Sequence, residues 1–461
     1  MEIAVPDDTP VIRPGETFTE PTPLEDPVEA TRQALSKPLG SKPIGELVGP
    51  ASTVAIGFPD RVKGGFQNTA HRRVSIALIL EALGKAGVKD KNITFVCGIG
   101  LHRKNTMEEF AAYLGSDLIS RFGYAGIVNH DAEDPQGMVE IGHTNHGDVV
   151  DFNRTAYEAD LTIMIGHTMG NPYGGYSGGY KMPCTGFTSW KSIRCHHTPK
   201  TMYRDDFVPV STGSHFRKQL RAIGSTIEAA RGSEFFMVDA VLDSQSRQLA
   251  VKAGRARDVE EATWSVANER TNVTVPGEPA DVLVLGIPRS FHYGPGMGTN
   301  PILMLQGIGS WVARAASALK PNFVVFAASI CDGWFNNSWF PPYEDIYHQL
   351  QQCNRADELI RYEDQFASNP EYLHKYRHEY AYHPFHGFSM AYMGSIATRR
   401  AQAVYIMGAK KPGYARGMGC IPTANLEDAL EHAKRYVGDN PRMLVVPQLS
   451  KPAVHLSSGQ A

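Results

Sequence analysis

The chain has 461 residues, more than one ordinary core uses, and this points to two domains or three. Hydrophobic residues make up 42% and charged residues 20%, the balance of a soluble globular enzyme. A formal net charge of −3 argues against a nucleic-acid or anionic-membrane partner, and no run of eighteen apolar residues is present to span a bilayer.

Residues 1–25 are acidic and proline-rich and read as an extended N-terminal arm, without the basic flank and apolar run of a signal peptide. The stretch "PVEATRQALSKPLGSKPIGELV" gives a helix, a Pro-Gly turn and a second short amphipathic piece. "STVAIGFPD" is a buried strand that leaves its sheet at Asp60. In open α/β sheets ligands bind outside the C-terminal strand ends, so Asp60 stands where chemistry is done. A loop, "RVKGGFQNTAHRR", and an apolar helix, "VSIALILEALGKAGV", follow. The next strand, "NITFVCGIGL", delivers His102 and Arg103 to a second strand end. Thr106 with Glu109 three residues later forms a capping box, which predicts a helix from about Met107. The stretch 126–153 reads as a hairpin, and its His130, His143 and His146 read as surface-turn residues, because they lack ligand spacing.

The segment from Leu161 is a short apolar strand that breaks into a loop containing Gly174, Gly175, Gly178 and Gly179. The loop delivers Lys181, and sixteen residues on comes His197, with His196 beside it. A lysine on a glycine loop near paired histidines suggests a cofactor held through an amine and a metal held through imidazole. Gly179-Tyr180-Lys181-Met182 lacks the Gly-Lys-Ser/Thr of a phosphate-cradling loop. By residue type, a Schiff-base lysine for pyridoxal phosphate and a plain glycine-rich surface turn both stay open.

Past a polar helix around 214–232, "FFMVDAVLDSQSRQLAVKAG" gives two strands joined at Asp243-Ser244, and one more helix precedes "TVPGEPA". Pro and Gly make that stretch the boundary between an N-terminal catalytic and cofactor domain, 26–274, and a C-terminal α/β domain, 275–461. In the latter, strands alternate with helices, including a long helical region over about 343–381, which implies a second parallel sheet. The six cysteines form no Cys-x-x-Cys pair, which speaks for a reduced, cytoplasmic enzyme.

"GGYSGGYKMPCTGFTSWKSIRCHH" resembles the core motif of the lactate racemase family that uses a nickel-pincer nucleotide. Ser177, Gly178, Gly179, Lys181, Gly186 and His197 fall on the family's positions without a gap, and Gly100, His102, Arg103, Thr106 and Glu109 match its Gly-x-His-Arg-x-x-Thr-x-x-Glu. The resemblance implies two α/β domains with mainly parallel sheets and an active site in the cleft between them. It implies an isomerase, a racemase or epimerase of a 2-hydroxy acid or a related sugar acid. The cofactor would be nickel with pyridinium-3,5-bisthiocarboxylic acid mononucleotide, joined covalently to Lys181, with His197 as the metal ligand and Ser177, Gly178 and Gly179 around it. His102 would be the acid/base residue, with Asp60 and Arg103 beside it. Partners would be a small-molecule substrate and the cofactor-biosynthesis and nickel-insertion proteins, with neither nucleic acid nor membrane.

Three departures bear on the chemistry. The family's Asp-x-x-Arg-Pro, whose Arg binds the substrate carboxylate, lacks its Pro here and lies in a longer loop. That role passes to Arg72 or Arg73, with Arg61 and Lys63 as alternatives. The family's second catalytic His aligns with Asn171, which cannot usefully transfer a proton and is kept as a cofactor contact. The Gln and Lys of the second-domain helix align with Leu303 and Gln306. The second proton transfer falls to His386 first, then His292 or His167, and plain lactate is not the expected substrate. A one-sided redox enzyme using the same cofactor, or a non-catalytic cofactor carrier, are the competing readings.

Overall fold

The computed structural model describes residues 2–171, 173–450 and 452–456, and the chain divides into two units. One comprises Pro21–His197 and Val210–Arg270; the other takes the described residues of Met1–Glu20, Thr198–Pro209 and Thr271–Ala461. Thr198–Pro209, inside the span read as the N-terminal domain, therefore groups with the later residues.

The first unit is built on strands β1 (Val54–Pro59), β2 (Ile93–Gly98), β3 (Ile127–Asn129), β6 (Leu161–Thr168), β7 (Phe236–Leu242) and β8 (Gln248–Arg255). Their order is β3-β2-β1-β6-β7-β8, parallel except for β8, which runs antiparallel to β7. Every residue of β1 and β6 is buried, because both faces of a parallel sheet are covered and the strands need no alternation. After β1 the chain builds β2 and β3 on one side; β6, β7 and β8 lie on the other. The order thus reverses between β1 and β6, and a crevice at such a switch point is where open α/β sheets bind ligands. The helix His71–Lys85 that joins β1 to β2 starts three residues before the apolar run from Val74, because His71 and Arg72 are themselves buried.

Two readings of the 126–153 stretch are corrected. β4 (Met138–His143) and β5 (Val149–Asn153) do form an antiparallel hairpin, but β3 belongs to the parallel sheet beside β2. His130 is not a surface residue: it is fully buried, with Nε2 at 3.0 Å from the Thr188 carbonyl and Nδ1 at 3.2 Å from Asn153 Nδ2. Burial pushes its pKa down to about 4. His143 and His146 are exposed.

The second unit holds β9 (Asn272–Val275), β10 (Ala280–Gly286), β11 (Ser290–Phe291), β12 (Gly294–Pro295), β13 (Leu319–Ala328), β14 (Val404–Met407), β15 (Ile421–Thr423), β16 (Met443–Val446) and β17 (Ala453–Leu456). Its main sheet is parallel, in the order β15-β14-β13-β10-β16. Leu426, Ala429 and Ala433 of the helix Leu426–Val437 close one face over Val282, Val324, Phe326 and Tyr405. The helical region expected over 343–381 is broken into Tyr343–Leu350, Ala356–Tyr362, Glu363–Ala367 and Pro370–His378. The last break follows from Asn369, which caps a fresh helix with Pro370 in its first turn. Among the described residues no helix is long and apolar enough to cross a membrane.

Candidate active site

Three strand ends of the first unit converge on the switch point, and each carries one expected residue or loop. β1 ends into Asp60, β2 into the loop bearing His102, and β6 into the glycine loop. His102 Nδ1 lies 2.6 Å from Asp60 Oδ2, and the carboxylate is almost wholly buried. A buried carboxylate in that position holds the imidazole in the Nδ1–H tautomer and leaves its basic lone pair on Nε2. Burial lowers the His102 pKa, the Asp60 charge and hydrogen bond oppose this, and the charges of Lys63 and Lys181 add to the lowering. His102 is therefore a neutral base at pH 7.

The arginines have other work. Arg72, expected to bind substrate, is buried, and its guanidinium donates to the carbonyls of Pro59 at 3.0 Å, Asp60 at 2.7 Å and Gly65 at 3.1 Å, while lying 3.8 Å over the Tyr113 ring. It pins the loop rather than offering a charge to a ligand. Arg73, the other expected carboxylate ligand, donates to Asn68 Oδ1 at 2.5 Å on a partly exposed helix start. Arg103 is ion-paired with Glu109 and donates to the Lys104 carbonyl at 2.9 Å, and Arg61 Nε also reaches Glu109, at 3.3 Å. Glu109 is the far half of the Thr106 capping box, so these cations brace the helix Met107–Leu114. Lys63 is the loop cation whose charge is felt at both His102 and Lys181.

Lys181 opens the short helix Lys181–Gly186, which is laid close on the sheet. Phe187 fills the space that side chains at Gly57 and Gly98 would take, and the Gly100 N–H donates to the Gly186 carbonyl at 3.2 Å. Lys181 Nζ lies 5.9 Å from the ring centroids of both Tyr173 and Phe216. Burial first, then the charges of Lys63 and Arg217, hold its pKa well below the usual lysine range. A lysine so placed gives up its proton more readily than an exposed one and is the better nucleophile for it.

His197 ends the helix Trp190–His196, whose N-terminus is capped by Ser189. Its Nδ1 lies 2.7 Å from His196 Nδ1, and its ring lies 4.7 Å from that of Tyr173. One proton must sit between the two imidazoles, so each fixes the tautomer of the other. His196 is fully buried, and burial, helped by the Lys181 charge, pushes its pKa down to about 3. Among the described residues no three His, Cys, Asp or Glu gather as a metal cluster, so a metal at His197 would take most of its donors from a bound group.

Asn171 and Ser177 shape the loop. Asn171 Oδ1 accepts from the Tyr173 N–H at 2.9 Å, an Asx turn that directs the Tyr173 ring onto His197. Ser177 Oγ donates to the His167 carbonyl at 2.8 Å and ties the loop back to β6. Gly178 and Gly179 both have positive φ, +78° and +53°, with Asp239 packed behind the first and Glu260 behind the second. His386 is placed in the second unit, 3% exposed, its Nδ1 at 2.7 Å from the Tyr343 hydroxyl and its ring among Tyr293, Tyr343 and Tyr382. It is a packed histidine of that unit's aromatic core. Sequence reasoning missed Tyr173, Phe216, Asp239, Glu260 and Arg217. Only Asp239 carried a legible signal, as an acid in the middle of an apolar strand.

Residues 1–206 match the family model described as the lactate racemase N-terminal domain. A lactate racemase of Thermoanaerobacterium thermosaccharolyticum is 22% identical over 431 residues, 91% of this chain and 88% of the relative. A lactate racemase of Lactiplantibacillus plantarum is 23% identical over 343 residues, covering 74% of this chain and 73% of the relative. Among solved structures, the lactate racemase apoprotein from Thermoanaerobacterium thermosaccharolyticum superposes with a TM-score of 0.72 at 19% identity, covering 98% of this chain and 96% of that one. A protein from Thermotoga maritima gives 0.58 at 16% identity over 95% of this chain and 100% of its own. At these identities the structural likenesses establish the fold.

Proposed function

We propose that the chain is an isomerase of the lactate racemase family that interconverts stereoisomers of a 2-hydroxy acid or related sugar acid with a nickel-pincer nucleotide. The observation that carries this reading is the convergence of a buried-acid histidine, His102 with Asp60, and a desolvated lysine, Lys181, on adjoining strand ends. The donor set fits the cofactor. Lys181 offers an amine of lowered pKa for the covalent link, and His197 offers one imidazole, the complement of soft donors carried by the nucleotide. When bound, that group supplies a hydride acceptor.

The chain's own residues supply the rest. His102 takes the proton of the substrate hydroxyl, and Asp60 stabilises the imidazolium that forms. Lys63, third after Asp60 as the family's Arg is, binds the substrate carboxylate in place of Arg72 and Arg73. Tyr173 and Phe216 wall the lysine and keep water from it. The cofactor-biosynthesis and nickel-insertion proteins are the proposed partners, in the cytoplasm.

One observation favours a second reading. Position 171 is an asparagine whose Oδ1 accepts in the Asx turn and offers no second base, and the enzyme would then be a one-sided oxidoreductase with the same cofactor. Reaction of one stereoisomer deuterated at C2 separates the readings. The isomerase forms the other stereoisomer with deuterium kept at C2, because the hydride returns. Keto acid formed in up to one equivalent per loaded cofactor, without the second stereoisomer, supports the one-sided enzyme. Loss of deuterium to solvent contradicts hydride transfer, and no conversion at all supports a carrier.

A further inference from the structure

Lys181 is held from behind by acids. The Gly179 N–H donates to Asp239 Oδ2 at 2.6 Å, and the Tyr180 N–H donates to Glu260 Oε1 at 2.9 Å. Successive N–H groups in a turn of positive φ make a concavity of the kind that elsewhere cradles phosphate. Here the protein's own carboxylates fill it. Any residue larger than glycine at 178 would meet Asp239 and Thr168, and at 179 it would meet the Glu260 side chain. Both acids are essentially fully buried, a placement that costs stability unless each is hydrogen-bonded or paired. Glu260 is ion-paired with buried Arg217, and Arg221 Nε adds a contact at 3.2 Å. Arg217 also donates to the Tyr176 carbonyl at 2.9 Å, and Ser214 Oγ donates to the Gly174 carbonyl at 3.0 Å. The loop backbone is thus tied to β7, to the helix Ala256–Thr271 and to the helix His215–Arg231. Neither acid is ion-paired with Lys181 itself, whose Nζ faces the two aromatic rings.

We propose that Asp239 and Glu260 are positioning residues for Lys181: by accepting the Gly179 and Tyr180 N–H groups they fix the turn from which the lysine leaves, and they close that turn to phosphate. This rests on the reading of Lys181 as the cofactor-bearing residue. A phosphate of a bound nucleotide finds the Gly179 and Tyr180 N–H groups already taken by the protein's own carboxylates.

The test compares wild type, Asp239→Ala and Asp239→Asn, each as the full chain produced with the cofactor-making enzymes. The readouts are the fraction of the Lys181 peptide that carries the adduct and the thermal midpoint of the same preparation. Asp239→Asn keeps a carbonyl oxygen for the Gly179 N–H; Asp239→Ala does not. Losing a buried acceptor leaves the N–H unmet, so the alanine variant should lose adduct by about tenfold and the asparagine variant should recover most of it. Undiminished adduct in Asp239→Ala, or an equal loss in Asp239→Asn, overturns the inference. Should Asp239→Ala not fold, hydrogen exchange in the wild-type apoprotein decides. Gly179 and Tyr180 amides protected like those of β6 support the inference, and exchange at open-loop rates overturns it. Wild type without adduct on Lys181 overturns the reading of the lysine and the inference with it. Adduct in wild type that persists in the alanine variant overturns the inference alone.

Discussion

His102 is defined by opposed influences: burial first of all, with the Lys63 charge adding to it, holds it neutral, and Asp60 pulls it back toward the charged form. Because a general base must be neutral to act, activity should fall as pH drops through a pKa that lies below 6.5. Asp60→Asn removes the influence that raises that pKa, so the acid limb of the kcat/KM profile should move to lower pH while the maximal rate falls. A limb that moves upward contradicts the assigned pairing. His102→Ala should lower kcat by about 10²–10⁴-fold, the usual share of general acid–base help. His197 and His196 share a proton across 2.7 Å but do not share a role. His197→Ala should abolish nickel binding, whereas His196→Ala should weaken it by about 10–100-fold, as loss of an orienting partner does. Metal analysis checks the order, and the reverse order would transfer the ligand to His196.

At the scale of elements, the Thr106 capping box was legible because Thr and Glu at that spacing satisfy two helix-end donors at once. Thr106→Ala should cost about 1 kcal/mol in urea unfolding. The junction of β7 with the glycine loop was not legible, since Asp239 and Glu260 meet it from 60 and 80 residues away. Burial raises the Asp239 pKa to about 7, with Glu260 adding to the rise and the Gly179 N–H, Arg217 and the Gly166 N–H opposing it. A carboxyl whose folded pKa lies above its unfolded value stabilises the fold below the unfolded value, and that contribution is lost as pH rises through the folded one. Wild type should therefore lose stability relative to Asp239→Asn between about pH 4 and pH 7. Urea unfolding of both proteins at pH 5 and pH 8 measures it, and a difference that does not change with pH contradicts the raised pKa.

For the whole molecule, the sequence conveyed the two parallel sheets well, because runs such as "VAIGFP" and "DVLVLG" are too apolar for anything but strands covered on both faces. Short or polar pieces were lost: β15 and β17 have three and four residues, and neither stands out by composition. Asp60, His102, Lys181 and His197 stand out in the sequence as candidates because each follows a strand or a motif. What the arginines do could not be read, since Arg72 and Arg103 look like ligand-binding cations until the carbonyls and the carboxylate they hold are seen. Lys181 is the proposed carrier of the cofactor. The most direct test is peptide mapping by mass of active, nickel-loaded protein. The peptide containing Lys181 should bear the added mass of the nucleotide; an unmodified Lys181 in fully active protein would contradict its role as the carrier.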